Sequence, residues 1–287
     1  MRKLEKQIEE YLQYCQNIYR MTEQTVHNKV WVLNSFCKEV PINSIEELTN
    51  QHINEWIALQ SARGCTGRTI NNRLMHISSL VRYFQDMGTV IPGFKLRLLV
   101  KVKEDPIKRV YYSQDQIEAA LSYANPMAWL LISLCYDTGL RISELKNLRL
   151  ANISGNRITF VGKGRKARES YISDKTREKL EDWIKKEKVT DYLWARNTGV
   201  NKGQPECAET LRLAMRKAFK KAGIEGFYPH ALRHSFATNL CSNGAPLPVV
   251  QKMMGHSNLS TTERYVHTFD GHLEEYFKQY KFTPQPT

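Results

Sequence analysis

The sequence predicts a mainly α-helical chain of two domains, the second of which also carries a small β-sheet. A chain of 287 residues is long for one domain, so two domains are expected. Apolar residues recur at helical spacing along most of the sequence, while two short β-rich runs flank one glycine-containing turn. The expected organisation is an all-α domain over residues 1–95, a linker over 96–112, and a mixed α+β domain over 113–287.

Four helices are expected in the N-terminal domain. Apolar residues at helical spacing, such as Leu4, Ile8 and Leu12, predict the first of them. Ser44 and Glu47 form a candidate capping box ahead of the third helix. The expected spans are 1–20, 22–39, a helix through Ile53, Trp56 and Ile57, and 69–86, with breaks at 41–43 and 64–67.

The C-terminal domain is expected to combine helices with one hairpin. Ser113 is expected to cap its first helix, and Asn125 to begin an apolar helix that stops at Gly139. The runs 157–161 and 168–172 predict a β-hairpin around the turn G-K-G-R-K-A. Further helices are expected over 174–187 and 209–222, from Pro229, and over a short tail from about residue 271.

The net charge of +13 is high for a chain of this size. Residues 1–110 contain 16 Lys/Arg and 11 Asp/Glu, and the remainder contains 26 and 18, so both parts are basic. Two basic lobes suit a protein that grips a polyanion such as nucleic acid, and the basic linker suits an arm lying along it. Arginines on the polar faces of the N-terminal domain are hypothesised to touch DNA backbone: Arg63, Arg68, Arg73 and Arg82.

The cysteine pattern predicts a reducing compartment. The six cysteines are scattered, none forms a C-x-x-C pair, and several stand in apolar runs. No apolar run approaches the ~18 residues of a membrane span, and the N-terminal segment is a charged amphipathic helix rather than a signal peptide. A cytoplasmic protein without a membrane partner is expected. No phosphate-binding or dinucleotide-binding glycine motif is present, so no nucleotide cofactor is implied.

One stretch, residues 229–267, offers side chains that suit a phosphate. His230 and Arg233 are three residues apart and project from the same face of a helix. His256 lies beyond that helix, and Tyr265 follows nine residues later. One guanidinium, two imidazoles and a phenol can together hold a phosphate and attack it.

Two further segments add candidate residues. In L-R-I-S-E-L, Arg141 and Glu144 are three residues apart on a short helix, so that a guanidinium and a carboxylate share one face. Lys163 stands between two glycines at the hairpin tip, where the turn can approach a ligand closely. Each feature alone is compatible with a surface ion pair or a solvated lysine. Their combination predicts a phosphate site.

These motifs resemble those of the tyrosine recombinases, also called phage-type integrases, in order and approximate spacing. They are T-G-L-R-I-S-E-L at Arg141, G-K-G at Lys163, H-A-L-R-H at His230 and Arg233, M-G-H at His256, and T-T-E-R-Y at Tyr265. The chain is most similar to the compact Xer-like or transposon-type members, and its N-terminal part is similar to their core-binding (SAM-like) domain. Methionines at 253 and 254 stand where leucines are common, which packing tolerates.

The resemblance implies a site-specific DNA recombinase that cuts and rejoins strands through a covalent 3′-phosphotyrosine, with no metal or other cofactor. Arg141 and Arg233 would bind the phosphate through paired hydrogen bonds, and Tyr265 would be the nucleophile. Lys163 would donate a proton to the leaving 5′ oxygen, and His230 would help to remove the phenolic proton. His256 would donate a hydrogen bond to the transition state, and Glu144 would position Arg141 or His230.

The resemblance also implies a homotetramer, a dimer of dimers, on double-stranded DNA with inverted half-sites. In this assembly the tail from residue 271 would dock on a neighbouring protomer, and a paired recombinase or accessory protein is compatible with it. Three alternatives are weighed. A type IB topoisomerase uses nearly the same residues, and a regulator that only binds DNA has no reason to keep them. A metal phosphoesterase would use His230, His234, His256 and His267, but the usual neighbouring carboxylates are lacking.

Overall fold

The computed structural model describes residues 2–95, 101–104, 111–161 and 167–255. The chain is mainly helical with one small antiparallel sheet, which confirms the fold class. It divides into two compact units, Met1–Ile107 and Lys108–Thr287. Within the described ranges, no helix has both the length and the apolar character needed to cross a bilayer.

The N-terminal unit contains the four predicted helices. Their bounds are α1 Lys3–Asn17, α2 Glu23–Glu39, α3 Asn50–Ala62 and α4 Gly67–Asp86. The apolar stripes meet in one core, where Leu4, Ile8 and Phe36 are at most 1% exposed. The expected break at 64–67 is one residue too long, because Gly67 is already the first residue of α4 and Thr66 accepts the capping hydrogen bond from the Thr69 amide.

The predicted capping box at Ser44 is wrong. Ser44 precedes a single 3₁₀ turn, Ile45–Glu47, and its side chain caps nothing. Glu47 instead accepts from the amide of Asn43 at 2.8 Å. The chain after the turn is extended at Leu48, which is fully buried, so the third helix starts only at Asn50.

Residues 101–104, which fall in the predicted linker, pack against α4. The side-chain amide of Asn71 donates to the carbonyl of Val102 at 2.8 Å, and its oxygen accepts from the amide of Val102 at 2.9 Å. Arg68 forms an ion pair with Glu104 at 3.0 Å. This part of the segment is therefore held by the N-terminal unit. The expected arm along nucleic acid stays a prediction.

The C-terminal unit is built around one apolar helix. Its elements are α5 Gln114–Ser122, α6 Pro126–Thr138, α7 Ile142–Lys146, β1 Ile153–Ser154, β2 Arg157–Val161, β3 Ala167–Tyr171, α8 Asp174–Glu187, α9 Ala208–Lys221, α10 Pro229–Ser242 and α11 Leu247–Met254. Helix α6 packs against α8, α9 and α10. Asn125 caps it, and Gly139 ends it with φ 63°, both as predicted.

The predicted hairpin is present, as strands β2 and β3 of a three-stranded antiparallel sheet in the order β1-β2-β3. Ile158 pairs with Ser170, and Phe160 pairs with Arg168. The side chains of these two pairs lie on the inner face of the sheet. The hairpin tip, including Lys163, lies outside the described residues.

Helix α11 was not predicted from the sequence. The helix has only eight residues, and Pro248 stands in its first turn, where the missing amide costs no hydrogen bond. Val250 and Met254 are buried in a small cluster with Phe236 of α10. The expected tail helix lies outside the described residues.

Candidate active site

Arg233 is the most deeply buried charged residue of the candidate site. It lies in the first turns of α10, which starts at Pro229, and is only 1% exposed. Its Nη1 donates to the carbonyl of Gly139, and its Nη2 donates to the carbonyl of Met254. One side chain thus joins α10 to the end of α6 and to the end of α11.

His230 lies one turn before Arg233 on the same helix, as the spacing predicts, and is exposed. Partial desolvation of its ring by the surrounding protein lowers the pKa of His230, and the positive charges of Arg233 and Arg141 lower it further. Both arginines are therefore close enough to act on this imidazole. The neutral form that they favour is able to accept a proton.

Arg141 is the N-cap residue of α7, with its side chain 30% exposed. The carboxylate of Glu144 accepts from the backbone amide of Arg141 at 2.8 Å and from its Nη1 at 3.0 Å. The three-residue spacing thus gives a capping box in which the carboxylate also holds the guanidinium. Glu144 therefore contacts Arg141, and no hydrogen bond joins it to His230 among the described residues.

Arg168 of β3 was not singled out by the sequence analysis, yet it contacts the same carboxylate. Its Nη2 lies 2.5 Å from Oε2 of Glu144, and both side chains are only 7% exposed. Its Nη1 donates to the carbonyl of Met253 at 3.0 Å and to the carbonyl of Met254. The guanidinium carbon lies 4.3 Å from the centre of the Phe160 ring, the cross-strand neighbour.

The alternation along β3 is the signal that could have found Arg168. Ser170 and Ile172 are buried, so a residue two positions before Ser170 must face the same side of the sheet. An arginine on the inner face of a strand needs acceptors there. The prediction for this run was a strand alone, with no role for Arg168.

Three guanidinium groups and one carboxylate meet at this place in the described part of the chain. Burial is the main cause that lowers the pKa of Arg168; the charge of Arg141 lowers it further, and Glu144 opposes both. Arginines stay protonated under such conditions, so positive charge is in excess at the site. Partly buried positive charge with too few carboxylates is stabilised by a bound anion.

Three of the predicted site residues, Lys163, His256 and Tyr265, lie outside the described residues and their roles stay predictions. The last described residue, Gly255, ends α11 with φ 61°. The ring centres of His230 and His234 are 5.2 Å apart. No carboxylate, thiol or further imidazole joins these two as a third metal ligand in the part of the chain that the structure describes.

Comparison with known proteins identifies the family. The sequence profile of the phage integrase family matches residues 111–272, which is more than half of the chain and includes every candidate site residue. The chain belongs to the phage integrase family. The resemblance drawn from the motifs is therefore confirmed.

Relatives of this integrase-family chain are named as tyrosine recombinases. It is 30% identical to a tyrosine recombinase of Pseudothermotoga lettingae over 289 residues, covering 93% of this chain and 95% of that one. It is 28% identical to the tyrosine recombinase XerC of Lactobacillus delbrueckii subsp. bulgaricus over 234 residues, covering 77% and 79%. The chain is an enzyme of the tyrosine recombinase type, and the topoisomerase and regulator alternatives are not favoured.

The fold of the chain is shared with a solved recombinase. The XerH site-specific recombinase, bound to a palindromic difH substrate in a post-cleavage complex, matches with a TM-score of 0.73 at 20% identity. The match covers 96% of this chain and 84% of that one. The two-part integrase fold is therefore common to both.

Proposed function

We propose that this recombinase cuts and rejoins duplex DNA at a specific site made of two inverted half-sites, through a 3′-phosphotyrosine intermediate. The observation that carries the proposal is the set of contacts through Glu144 and Arg168 that brings Arg141 and Arg233 to one place. His230 lies one turn before Arg233 on α10. Two guanidinium groups and a neutral imidazole at one place supply charge neutralisation and a proton acceptor. These are two of the requirements of phosphodiester cleavage, beside a nucleophile and a proton donor for the leaving oxygen.

Arg141 and Arg233 bind the non-bridging oxygens of the scissile phosphate in this proposal. Arg141 is preorganised for this task, because Glu144 holds its guanidinium and the start of α7 together. His256 donates a further hydrogen bond to the phosphoryl oxygens as negative charge develops on them.

The phenolic oxygen of Tyr265 attacks phosphorus, and the bond from phosphorus to the 5′ oxygen breaks. His230 receives the phenolic proton, and Lys163 donates a proton to the departing 5′ oxygen. The protein remains on the 3′ phosphate as an ester. When the 5′ hydroxyl of a partner strand attacks that ester, the steps reverse, and the phosphotyrosine bond is exchanged for a new phosphodiester without hydrolysis or an energy-rich cofactor.

Strand exchange between two sites requires two pairs of protomers on DNA, so we further propose a homotetramer. The XerH recombinase is bound to a palindromic substrate, which suits a protein that binds as symmetric pairs. The predicted tail helix after residue 271 would dock on the next protomer, and removal of residues 271–287 would then weaken tetramer formation on DNA. The cytoplasmic location rests on the cysteine usage and stays a prediction.

Trapping with a nicked DNA substrate tests the function. Once footprinting has located the site, cleavage next to the nick releases a short fragment, so the covalent complex accumulates and is seen by denaturing electrophoresis. Tyr265→Phe is expected to bind the site normally and to form no covalent band, because the nucleophilic oxygen is absent. Tyr123→Phe, an exposed tyrosine on the same unit, is the matched control and keeps the band. An undiminished band with Tyr265→Phe would refute the assignment.

A further inference from the structure

We propose that Arg168 is a positioning residue for the cleavage reaction, which fixes Arg141 through Glu144 and fixes the end of α11, just before His256. The inference rests on the proposed function. It follows from a series of contacts that the backbone between Gly139 and Arg141 closes into a ring. Its members, here called the arginine ring, are Gly139, Arg141, Glu144, Arg168, Met254 and Arg233.

The first part of the ring is the carboxylate of Glu144, which is shared by two arginines. Oε1 accepts from Nη1 of Arg141 at 3.0 Å, and Oε2 accepts from Nη2 of Arg168 at 2.5 Å. Two positive partners on opposite sides restrict the carboxylate to one orientation. The side chain of Arg141 is 30% exposed, and its guanidinium is held by its bond to this carboxylate.

The second part of the ring is the C-terminus of α11. Carbonyls in the last turn of a helix have no intrahelical partner and carry the negative end of the helix dipole. Arg168 donates to the carbonyls of Met253 and Met254, and Arg233 donates to the carbonyl of Met254 as well. Two buried guanidinium groups therefore hold the point from which the chain leaves towards His256.

The space beside Gly255 is filled by the same arginine. A methyl group added to Gly255 would lie 2.8 Å from Cδ and 2.9 Å from Nη1 of Arg168. Arg168 thus limits where this backbone can lie. Arg168 also contacts Glu144, which holds Arg141, and shares the Met254 carbonyl with Arg233. Loss of Arg168 would remove one contact from the partner of each phosphate-binding arginine.

Arg168 itself is placed to hold other residues rather than the phosphate. Its side chain is 7% exposed, its two Nη atoms donate to protein acceptors, and its guanidinium lies against Phe160. Its Nε is buried and has no acceptor among the described residues. It is therefore distinguished from Arg141, whose guanidinium reaches solvent.

Cleavage of two matched nicked substrates by the full-length enzyme tests this role. One substrate carries the normal scissile phosphodiester, and the other carries a methylphosphonate, which has no negative charge for an arginine to neutralise. Arg168→Ala should slow covalent-complex formation on the phosphodiester by about 10- to 100-fold, the size expected for small misplacement of a catalytic group. The loss of cleavage rate caused by Arg168→Ala should be smaller on the methylphosphonate substrate than on the phosphodiester. The same difference between substrates is expected for Arg141→Ala. DNA affinity should stay within about twofold.

The comparison of substrates is made within one enzyme preparation, so it holds even if Arg168→Ala is partly unfolded. Arg177→Ala, which removes a surface arginine paired on α8, is the matched control and should behave as wild type on both substrates. A wild-type rate for Arg168→Ala, or an equal loss on both substrates, would overturn the proposal.

A double substitution tests the route through the carboxylate. If Arg168 acts through Glu144, the variant that combines Arg168→Ala and Glu144→Gln should cleave no more slowly than the worse single variant. Multiplying losses would mean that Arg168 acts independently of Glu144 and would contradict the route through the carboxylate. The absence of a covalent complex with the wild type, or its persistence in Tyr265→Phe, would instead count against the proposed function.

Discussion

The surroundings of His230 favour its neutral form. Desolvation by the surrounding protein, and then the charges of Arg233 and Arg141, lower its pKa and so favour the uncharged imidazole. A neutral imidazole next to a phosphate-binding pair can take the phenolic proton at the moment of attack. Arg141 and Arg233 thus attract the phosphate and also favour the form of His230 that can accept a proton.

The pH dependence of cleavage should report this lowered pKa. Because the neutral imidazole is the active form, the cleavage rate should rise with pH through the pKa of His230, and the inflection should lie below the ordinary histidine value of about 6.5. The measurement is the single-turnover rate of covalent-complex formation between pH 4.5 and 8. His230→Gln should lower the plateau and remove this inflection, while His27→Gln, in the other unit, should leave the profile unchanged. An inflection well above 6.5, or one that persists in His230→Gln, would contradict the role.

Local elements set the geometry of the site through two helix ends. Gly139 ends α6 in the left-handed conformation, and its carbonyl accepts from Arg233. The chain then reaches Arg141 within two residues. The end of α6 and the end of α11 thus converge on the guanidinium of Arg233.

Substitution of Gly139 by alanine should therefore damage both stability and cleavage. A methyl group there would lie 2.5 Å from the ring of Phe236, and the φ of 63° is unfavourable for alanine. Left-handed strain and overpacking together should lower the free energy of unfolding by about 2–4 kcal/mol. The measurement is urea unfolding of the C-terminal unit.

The matched control is Gly155→Ala, at φ 57° with open space around the added methyl group. Gly155→Ala should lower the free energy of unfolding only by the strain of the left-handed backbone, about 1–2 kcal/mol. Equal losses for the two variants would show that contact with Phe236 contributes nothing.

The elements that the sequence predicts well are those with a long apolar period and a recognisable cap. Helix α6 is an example, because Asn125, Pro126 and Gly139 mark both of its ends. The pairing of Arg141 with Glu144 was also accessible, since a spacing of three on a helix brings two side chains together.

The features that the sequence analysis missed depend on tertiary contacts. Helix α11 is too short for periodicity to reveal, and it is stabilised by burial against α10. The predicted capping box at Ser44 does not form, because the chain is extended at the buried residue Leu48. Arg168 could be placed on the inner face of its strand, but its acceptors come from α7 and α11, which are distant in sequence.

At the scale of the whole molecule, positive charge is spread over both compact units. In the N-terminal unit, Arg63 is paired with Glu39 at 2.6 Å, and Arg73 lies over the Trp31 ring at 4.8 Å. These arginines are thus positioned by protein partners, and Arg82 is exposed. Their contact with DNA backbone stays a prediction.

Binding to duplex DNA should depend steeply on salt if both units contact phosphates. With about six phosphate contacts shared between the units, affinity should fall by roughly 10³ between 50 and 200 mM salt. The measurement is the slope of log affinity against log salt concentration, with the neutralising variant Arg82→Gln reducing the slope by about 1 relative to wild type. Lys188→Gln, at the end of α8, is a control for loss of charge alone. A shallow slope for the wild type would mean that the net charge of +13 does not serve DNA binding.

The central claim is that one tyrosine becomes esterified to a DNA strand beside the paired arginines, and the most direct test is to find the modified residue. The trapped complex would be digested with nuclease and protease, and the peptide that carries a nucleotide would be sequenced by mass spectrometry. The account predicts a nucleotide linked through its 3′ phosphate to Tyr265. A nucleotide on another residue, or attachment through a 5′ phosphate, would contradict it.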